Sequence, residues 1–197
     1  SKKKYQGLKN NILYINSSNV RKSLAETCFS FFRSKPKNLV AITGTNGKSS
    51  IADFYFQILR LCKKKVASIG TLGIQTSYDK IPVSNTTLDP INLGKSLEKL
   101  KKKNIENVIL EASSHGLHQN RLDGLEFKTG IFTNLSHDHL DYHKNFKNYL
   151  KSKLYLFEKL LKKNSNVITD IDIPQYNLIK NICFKKKLKI NTISSKN

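Results

Sequence analysis

Residues 39–50 read Leu39-Val40-Ala41-Ile42-Thr43-Gly44-Thr45-Asn46-Gly47-Lys48-Ser49-Ser50, and their reading decides the fold. The first five form the kind of apolar run that a parallel strand buried on both faces requires. A Gly-containing loop follows. From Ser49 onward Ile51, Phe54, Tyr55, Ile58, Leu59 and Cys62 recur at offsets of three and four, tracing one face of a helix over 49–63. Strand, small-residue loop and helix in that order make a phosphate-binding loop: backbone N–H groups wrap the anion and the helix adds the positive end of its dipole. Lys48 can then set its ammonium on the β- and γ-phosphates of a nucleotide, and Ser49 can offer a hydroxyl to Mg²⁺. The strict Walker pattern has Gly where this chain has Ile42, so the loop is a shortened relative. A Gly-Lys-Ser turn without nucleotide is the plainer alternative, and the flanking strand and helix argue against it.

Outward from this loop the same rhythm continues. Strands are expected over 66–69, 107–110, 130–133, 166–169 and 188–193, with helices over 93–103, 146–161 and 179–186. Alternation of this kind predicts an α/β fold, an open and mainly parallel sheet flanked by helices on both faces. Residues 1–37 differ, with one candidate strand over 12–15 and one helix over 20–32 before Lys35-Pro36-Lys37. They read as a linker or the trailing edge of a preceding domain, and 38–197 as the nucleotide-binding domain. There is no internal repeat.

The chain has 197 residues, 38% of them hydrophobic, enough for one domain with a real core. No apolar run approaches the roughly 20 residues that span a bilayer, and the basic start at residues 1–4 leads into no signal-peptide pattern. Cys28, Cys62 and Cys183 are far apart and form no CxxC, which argues against a disulfide framework or a zinc ribbon. A soluble cytoplasmic protein is expected. The net charge of +21 invites a nucleic-acid reading, but the basic residues are 31 Lys and only 4 Arg. Base readers also use Arg forks and stacking aromatics. Here the lysines gather at helix ends and loops, as solvated surface charge, so no nucleic-acid partner is expected.

In an open parallel sheet, ligands bind beyond the carboxyl ends of the strands. Polar motifs stand at four such ends: the 44–50 loop, Gly70-Thr71-Leu72-Gly73, Glu111-Ala112-Ser113-Ser114-His115-Gly116, and Asn134-Leu135-Ser136-His137-Asp138-His139. Glu111 could hold magnesium through oxygen or simply pair with one of many lysines. His139 and His143, four apart, raise the possibility of zinc. With no HExxH and no nearby Cys, that is the poorer option, and composition alone gives His139 no magnesium role. Asn85-Thr86-Thr87-Leu88-Asp89-Pro90 reads on its own as a turn and helix cap. Gln119 and Arg121 follow the His115 segment, and a guanidinium there suits a carboxylate or phosphate.

Taken together, GTNGKSS, NTTLD, EASSHGLHQNR, TNLSHDHLDYH and YLKSKLYLF, spread over about residues 20–193, resemble the Mur ligases. These are the ATP-dependent amino-acid-adding enzymes of peptidoglycan synthesis, and the resemblance is nearest to the members that add the third residue. It implies that Gly44, Thr45, Asn46, Gly47, Lys48, Ser49 and Ser50 bind ATP, and that Ser49, Glu111 and His139 hold Mg²⁺. It implies that Thr86, Thr87, Ser113, Gln119 and Arg121 grip a UDP-MurNAc-dipeptide. Lys153 corresponds to a carbamylated lysine that ligates a second magnesium; by sequence alone it is one more lysine. Lys48, His139 and Lys153 thereby become the expected catalytic residues. Asn134 and Asp138 fit the motif without a firm role.

Departures from the family pattern matter: Leu88 stands where Pro is frequent, Ser49 where Thr is common, His137 where Arg or Glu is frequent, and, more seriously, two of the family's domains read as missing. The family has an N-terminal UDP-binding domain, a central ATPase domain and a C-terminal domain for the incoming diaminopimelate or lysine. Against that plan the chain reads as a monomeric central-domain fragment, with 1–37 the tail of the first domain and the third absent. Ligation by the fragment alone is expected to be negligible. The rival readings are a folylpolyglutamate synthase-type ligase, against which NTTLD and SSHGLHQNR argue, a nucleotide-binding fragment without turnover, and a nucleic-acid binder.

Overall fold

The computed structural model describes residues 6–194; the basic start at residues 1–4 lies outside them. An antiparallel pair, β1 (Gly7–Lys9) and β2 (Ile12–Tyr14), leads to α1 (Val20–Phe31). Asn19 caps α1 by accepting from the Lys22 N–H. Then follow β3 (Asn38–Thr43), α2 (Lys48–Leu61) and β4 (Val66–Gly70). A short hairpin comes next: β5 (Gly73–Thr76) pairs antiparallel with β4, and β6 (Lys80–Ile81) pairs antiparallel with β5. Sequence periodicity did not suggest this hairpin, because its strands are brief and carry no apolar run.

The second half holds α3 (Pro90–Lys102), β7 (Asn107–Glu111), α4 (Ser114–His118), β8 (Phe127–Phe132), α5 (Leu140–His143) and α6 (Phe146–Tyr155). A π-helical turn, Leu156–Leu160, continues α6 and runs straight into β9 (Leu161–Asp170). The last described elements are α7 (Tyr176–Lys186) and β10 (Lys189–Ile193). The helix expected over 146–161 is thus part α and part π, a distinction that apolar spacing does not make. The cap reading of Asp89 holds: its Oδ1 accepts from the N–H groups of Ile91 and Asn92, and Pro90 occupies the first turn.

The main sheet has the order β10-β9-β8-β3-β7-β4-β5-β6, parallel from β10 to β4. Alternate residues of the central strands enter two separate cores. Leu39, Ala41, Val108 and Leu110 join the large cluster with α1, α3, α4, α6, the π turn and α7, whereas Val40, Ile42 and Ile109 face Ala52 of α2. Helices therefore cover both faces, though the second face carries α2 alone among the described residues. On α2 the expected apolar stripe is shifted. Ala52 and Phe56 are buried, while Phe54, Ile58 and Cys62 are exposed, because a small residue at 52 is what lets the helix lie close on the sheet. Residues 20–32 pack into the large core: Ala25 and Phe29 are buried, and Phe32 stands so close to Gly94 of α3 that a Cβ there would meet its ring at 2.4 Å.

Candidate active site

The order of crossovers sends the chain from β3 outward to β4, back to β7, and then to β8 on the other side of β3. The carboxyl ends of β3, β4, β7 and β8 consequently face one crevice, the position at which doubly wound sheets bind ligands. An open pocket of about 270 Å³ lies there. It is lined by the whole 44–50 loop with Thr71, Thr86, Glu111, Ser113, Ser114, His139, Tyr149 and Lys153.

The loop's shape is enforced by the end of β8. Thr45 donates its N–H to the Asn134 carbonyl (3.0 Å), Asn46 donates its own to Asn134 Oδ1 (3.0 Å), and Thr133 Oγ1 donates to the Asn46 carbonyl (2.7 Å). Thr45 Oγ1 pairs with Tyr149 Oη (3.1 Å) and accepts from the Ser136 N–H. Gly44, at φ +152°, sits against this brace: a Cβ would fall 1.8 Å from Thr133 Oγ1. Asn134, which sequence left without a role, is therefore a strut of the loop.

Lys48 opens α2, and its Nζ donates to the carbonyls of Gly44 (3.0 Å) and Thr45 (2.7 Å). That bond pattern holds the ammonium over the loop, at the helix N-terminus where an anion is favoured. Burial lowers its pKa, with Glu111 and Asp138 pulling it back up. Ser49 Oγ donates to Glu111 Oε2 (3.0 Å), and Glu111 is 2% exposed. A buried carboxylate beside a hydroxyl is a hard-oxygen donor set suited to Mg²⁺. His139 adopts a left-handed backbone conformation (φ +51°) as the N-cap of α5, with Asp138 Oδ1 accepting its N–H. Among the described residues no group of three His, Cys, Asp or Glu is placed to hold a metal ion. His143 is buried, its pKa pushed down to about 4 by burial and then by the surrounding His115, His118, Lys153 and His139.

Lys153, indistinguishable in sequence from its fellows, proves to be the unusual one. It is 1% exposed, its Nζ donates to the Gly44 carbonyl (2.6 Å), and it lies over the Tyr149 ring. Burial and the nearby Lys48 charge bring its pKa down to about 7, with Asp138 opposing.

The expected substrate-side residues divide. Thr86 and Ser113 line the pocket. Thr87 is buried: its hydroxyl donates to the Glu111 carbonyl (2.8 Å) and accepts from the Ser113 N–H (2.9 Å), tying the 85–90 turn to the end of β7. Ser113 Oγ caps α4 by accepting from the Gly116 N–H. Gln119 and Arg121 lie beyond this lining as a pre-set fork. Arg121 Nε and NH2 donate to Gln119 Oε1 (3.0 and 2.7 Å), its NH1 donates to the Thr87 carbonyl, and Gln119 Nε2 donates to Tyr142 Oη (3.1 Å). Tyr142 was noted in sequence only as part of a histidine-rich run.

A small-residue loop opening a helix, a buried carboxylate and a desolvated lysine meet on one edge of the α/β sheet. The chain belongs to the Mur ligases: the family description "Mur ligase middle domain" matches residues 42–197. It is 39% identical over 184 residues to the UDP-N-acetylmuramoyl-L-alanyl-D-glutamate–2,6-diaminopimelate ligase of Rickettsia bellii, covering 91% of this chain and 38% of that protein. A solved ligase of the same name superposes with a TM-score of 0.81 at 30% identity, over 93% of this chain and 38% of the other. E. coli FolC in complex with DHPP and ADP superposes with a TM-score of 0.68 at 16% identity, over 90% and 47%, a likeness of fold. The chain spans less than two fifths of the length of the curated relatives it matches. No helix among the described residues is long and apolar enough to cross a membrane.

Proposed function

We propose that this chain is the nucleotide-binding core of an ATP-dependent ligase of peptidoglycan precursor synthesis, one that joins diaminopimelate to UDP-MurNAc-L-Ala-D-Glu. The observation that carries the reading is the convergence of the 44–50 loop, Glu111, His139 and Lys153 on one pocket. Diaminopimelate rather than lysine is favoured as the incoming amine because the relatives at 38–40% identity are named as diaminopimelate ligases. The proposed setting is the cytoplasm, with the protein acting as a monomer.

In this reading the loop N–H groups and Lys48 bind the ATP phosphates and neutralise charge as it builds on the γ-phosphoryl group. Ser49, Glu111 and His139 would hold one Mg²⁺, and Lys153, once carbamylated, would offer oxygen to a second. Magnesium, when bound, supplies further neutralisation of phosphate charge. Thr86, Ser113 and the Arg121 fork orient the dipeptide so that its D-glutamate carboxylate faces the γ-phosphorus. The carboxylate oxygen attacks, ADP leaves, and an acyl phosphate results. The amine nitrogen then attacks the acyl carbon, phosphate departs, the amide forms, and the amine proton passes to solvent.

Calorimetric titration tests the reading. AMP-PNP with MgCl₂ is expected to bind the 197-residue chain, and Lys48→Ala to weaken it at least tenfold, on the order expected for a lost charge-assisted contact. UDP-MurNAc-L-Ala-D-Glu should bind and a folate should not. An unaltered chain that fails to bind AMP-PNP refutes the proposal. Ligation by this chain alone is expected to be negligible, and robust product would overturn that part.

A further inference from the structure

Thr71 stands at the carboxyl end of β4, between the residues read as metal ligands and those read as substrate contacts. Its backbone N–H donates to Glu111 Oε1 (2.9 Å) and its Oγ1 donates to Glu111 Oε2 (3.2 Å). The preceding residue allows this approach: a Cβ on Gly70 would lie 2.1 Å from Glu111 Oε1. On its other side Thr71 Oγ1 is 3.1 Å from Thr86 Oγ1. A hydroxyl has one proton, and an ionised carboxylate only accepts. With the Thr71 proton committed to Glu111, the Thr86 hydroxyl must donate to Thr71. The three groups form a directed chain from Thr86 through Thr71 to Glu111.

We propose that Thr71 is a positioning residue that aims the Glu111 carboxylate at its cation and, through the same hydroxyl, fixes Thr86 as a hydrogen-bond acceptor toward the substrate. Two consequences follow from the geometry. Glu111 is buried, with three donors (the Thr71 N–H, Thr71 Oγ1 and Ser49 Oγ) fixing the plane of its carboxylate; removal of one releases a rotation that a cation must then arrest. Thr86, its proton turned inward, offers lone pairs to the pocket and so reads an N–H or O–H of the dipeptide or sugar rather than a phosphate oxygen. Cation and substrate are thereby coupled, since whatever strengthens the Thr71–Glu111 bond also polarises the Thr86 hydroxyl.

The inference rests on the proposed reading of Glu111 as a metal ligand, and the experiment separates the two. Mn²⁺ binding to the full chain is followed by electron paramagnetic resonance in the presence of AMP-PNP, and UDP-MurNAc-L-Ala-D-Glu binding by calorimetry with and without MgCl₂. Thr71→Val keeps the shape and the backbone donor while removing the hydroxyl; Thr71→Ser restores the hydroxyl. The valine variant is expected to bind Mn²⁺ about tenfold more weakly and to lose the effect of MgCl₂ on substrate affinity, and the serine variant to return both to within about twofold. Unchanged Mn²⁺ affinity and unchanged coupling in Thr71→Val overturn the positioning role alone. Failure of the unaltered chain to bind Mn²⁺ overturns the metal reading and the inference with it.

Discussion

Replacing Lys153 by Met tests the electrostatics of the site most directly, because it keeps the length of the side chain and removes only the amine. The chain has 31 lysines, and among the described residues Lys153 is the one whose pKa burial and the Lys48 charge bring from 10.5 to about 7. At pH 7 about half of its amine is therefore neutral, roughly a thousandfold more than in an ordinary lysine. Only the neutral form can attack carbon dioxide, forming the N–C bond of a carbamate and releasing a proton. ¹³C-bicarbonate supplied to the protein at pH 7 to 8 should accordingly give one protected carbamate signal, absent in Lys153→Met. The stability effect has a definite sign. Below pH 7 the amine is charged in both folded and unfolded chains, so the whole cost of burying the ammonium is present. Between pH 7 and 10.5 the unfolded chain binds more protons, and the cost shrinks as pH rises. It is at most roughly 5 kcal/mol, less what the bond to the Gly44 carbonyl returns. In bicarbonate-free buffer with chelator, urea unfolding should find Lys153→Met more stable than the parent at pH 6 and the advantage fading by pH 9. A difference that does not vary with pH, or a carbamate signal that survives the substitution, would refute the reasoning.

Gly44→Ala should abolish AMP-PNP binding and lower stability by at least about 1 kcal/mol, since the new methyl collides with Thr133 Oγ1 and the φ is unfavourable to alanine; calorimetry and urea unfolding check both. Asp89→Ala removes two backbone caps from α3 and should cost about 1 kcal/mol in unfolding free energy, with little effect on nucleotide affinity. Tyr142→Phe deprives Gln119 Nε2 and His118 Nδ1 of their shared hydroxyl, so affinity for UDP-MurNAc-L-Ala-D-Glu should fall several-fold while AMP-PNP affinity holds. His143, with its pKa near 4, is neutral in the folded chain where the unfolded chain takes up a proton. Stability should therefore be lost as pH falls from 6.5 toward 4, by at most roughly 3 kcal/mol, and His143→Phe should flatten that slope in urea titrations.

The parts of this molecule that sequence reveals are those encoded locally. The apolar run 39–43 and the glycines and lysine after it specify strand, loop and helix through backbone sterics and dipoles that neighbours scarcely alter. Where tertiary packing decides, periodicity misleads. It draws the contact face of α2 through Phe54 and Ile58, which are exposed, because it cannot know that the sheet wants the small Ala52 against it. Strands β5 and β6 escape because Gly73–Thr76 gains its order from pairing with β4, and Lys80–Ile81 from pairing with β5, rather than from their own composition. Lys153 is silent for a different reason: its chemistry is created by desolvation, a property of the folded surroundings, and only the family resemblance singles it out. Thr71 lay in a polar strand-end motif that was visible in sequence. What gave it meaning was the approach of Glu111 from a strand 40 residues away.

The π turn at Leu156–Leu160 sets the phase between the lysine-bearing helix and strand β9. A π turn holds one residue more than an α turn. Excising a single residue there would rewind the spiral and swing the following chain by about 100° relative to Lys153, so an indel in this stretch misaligns pocket and sheet edge together, although it touches no pocket-lining residue.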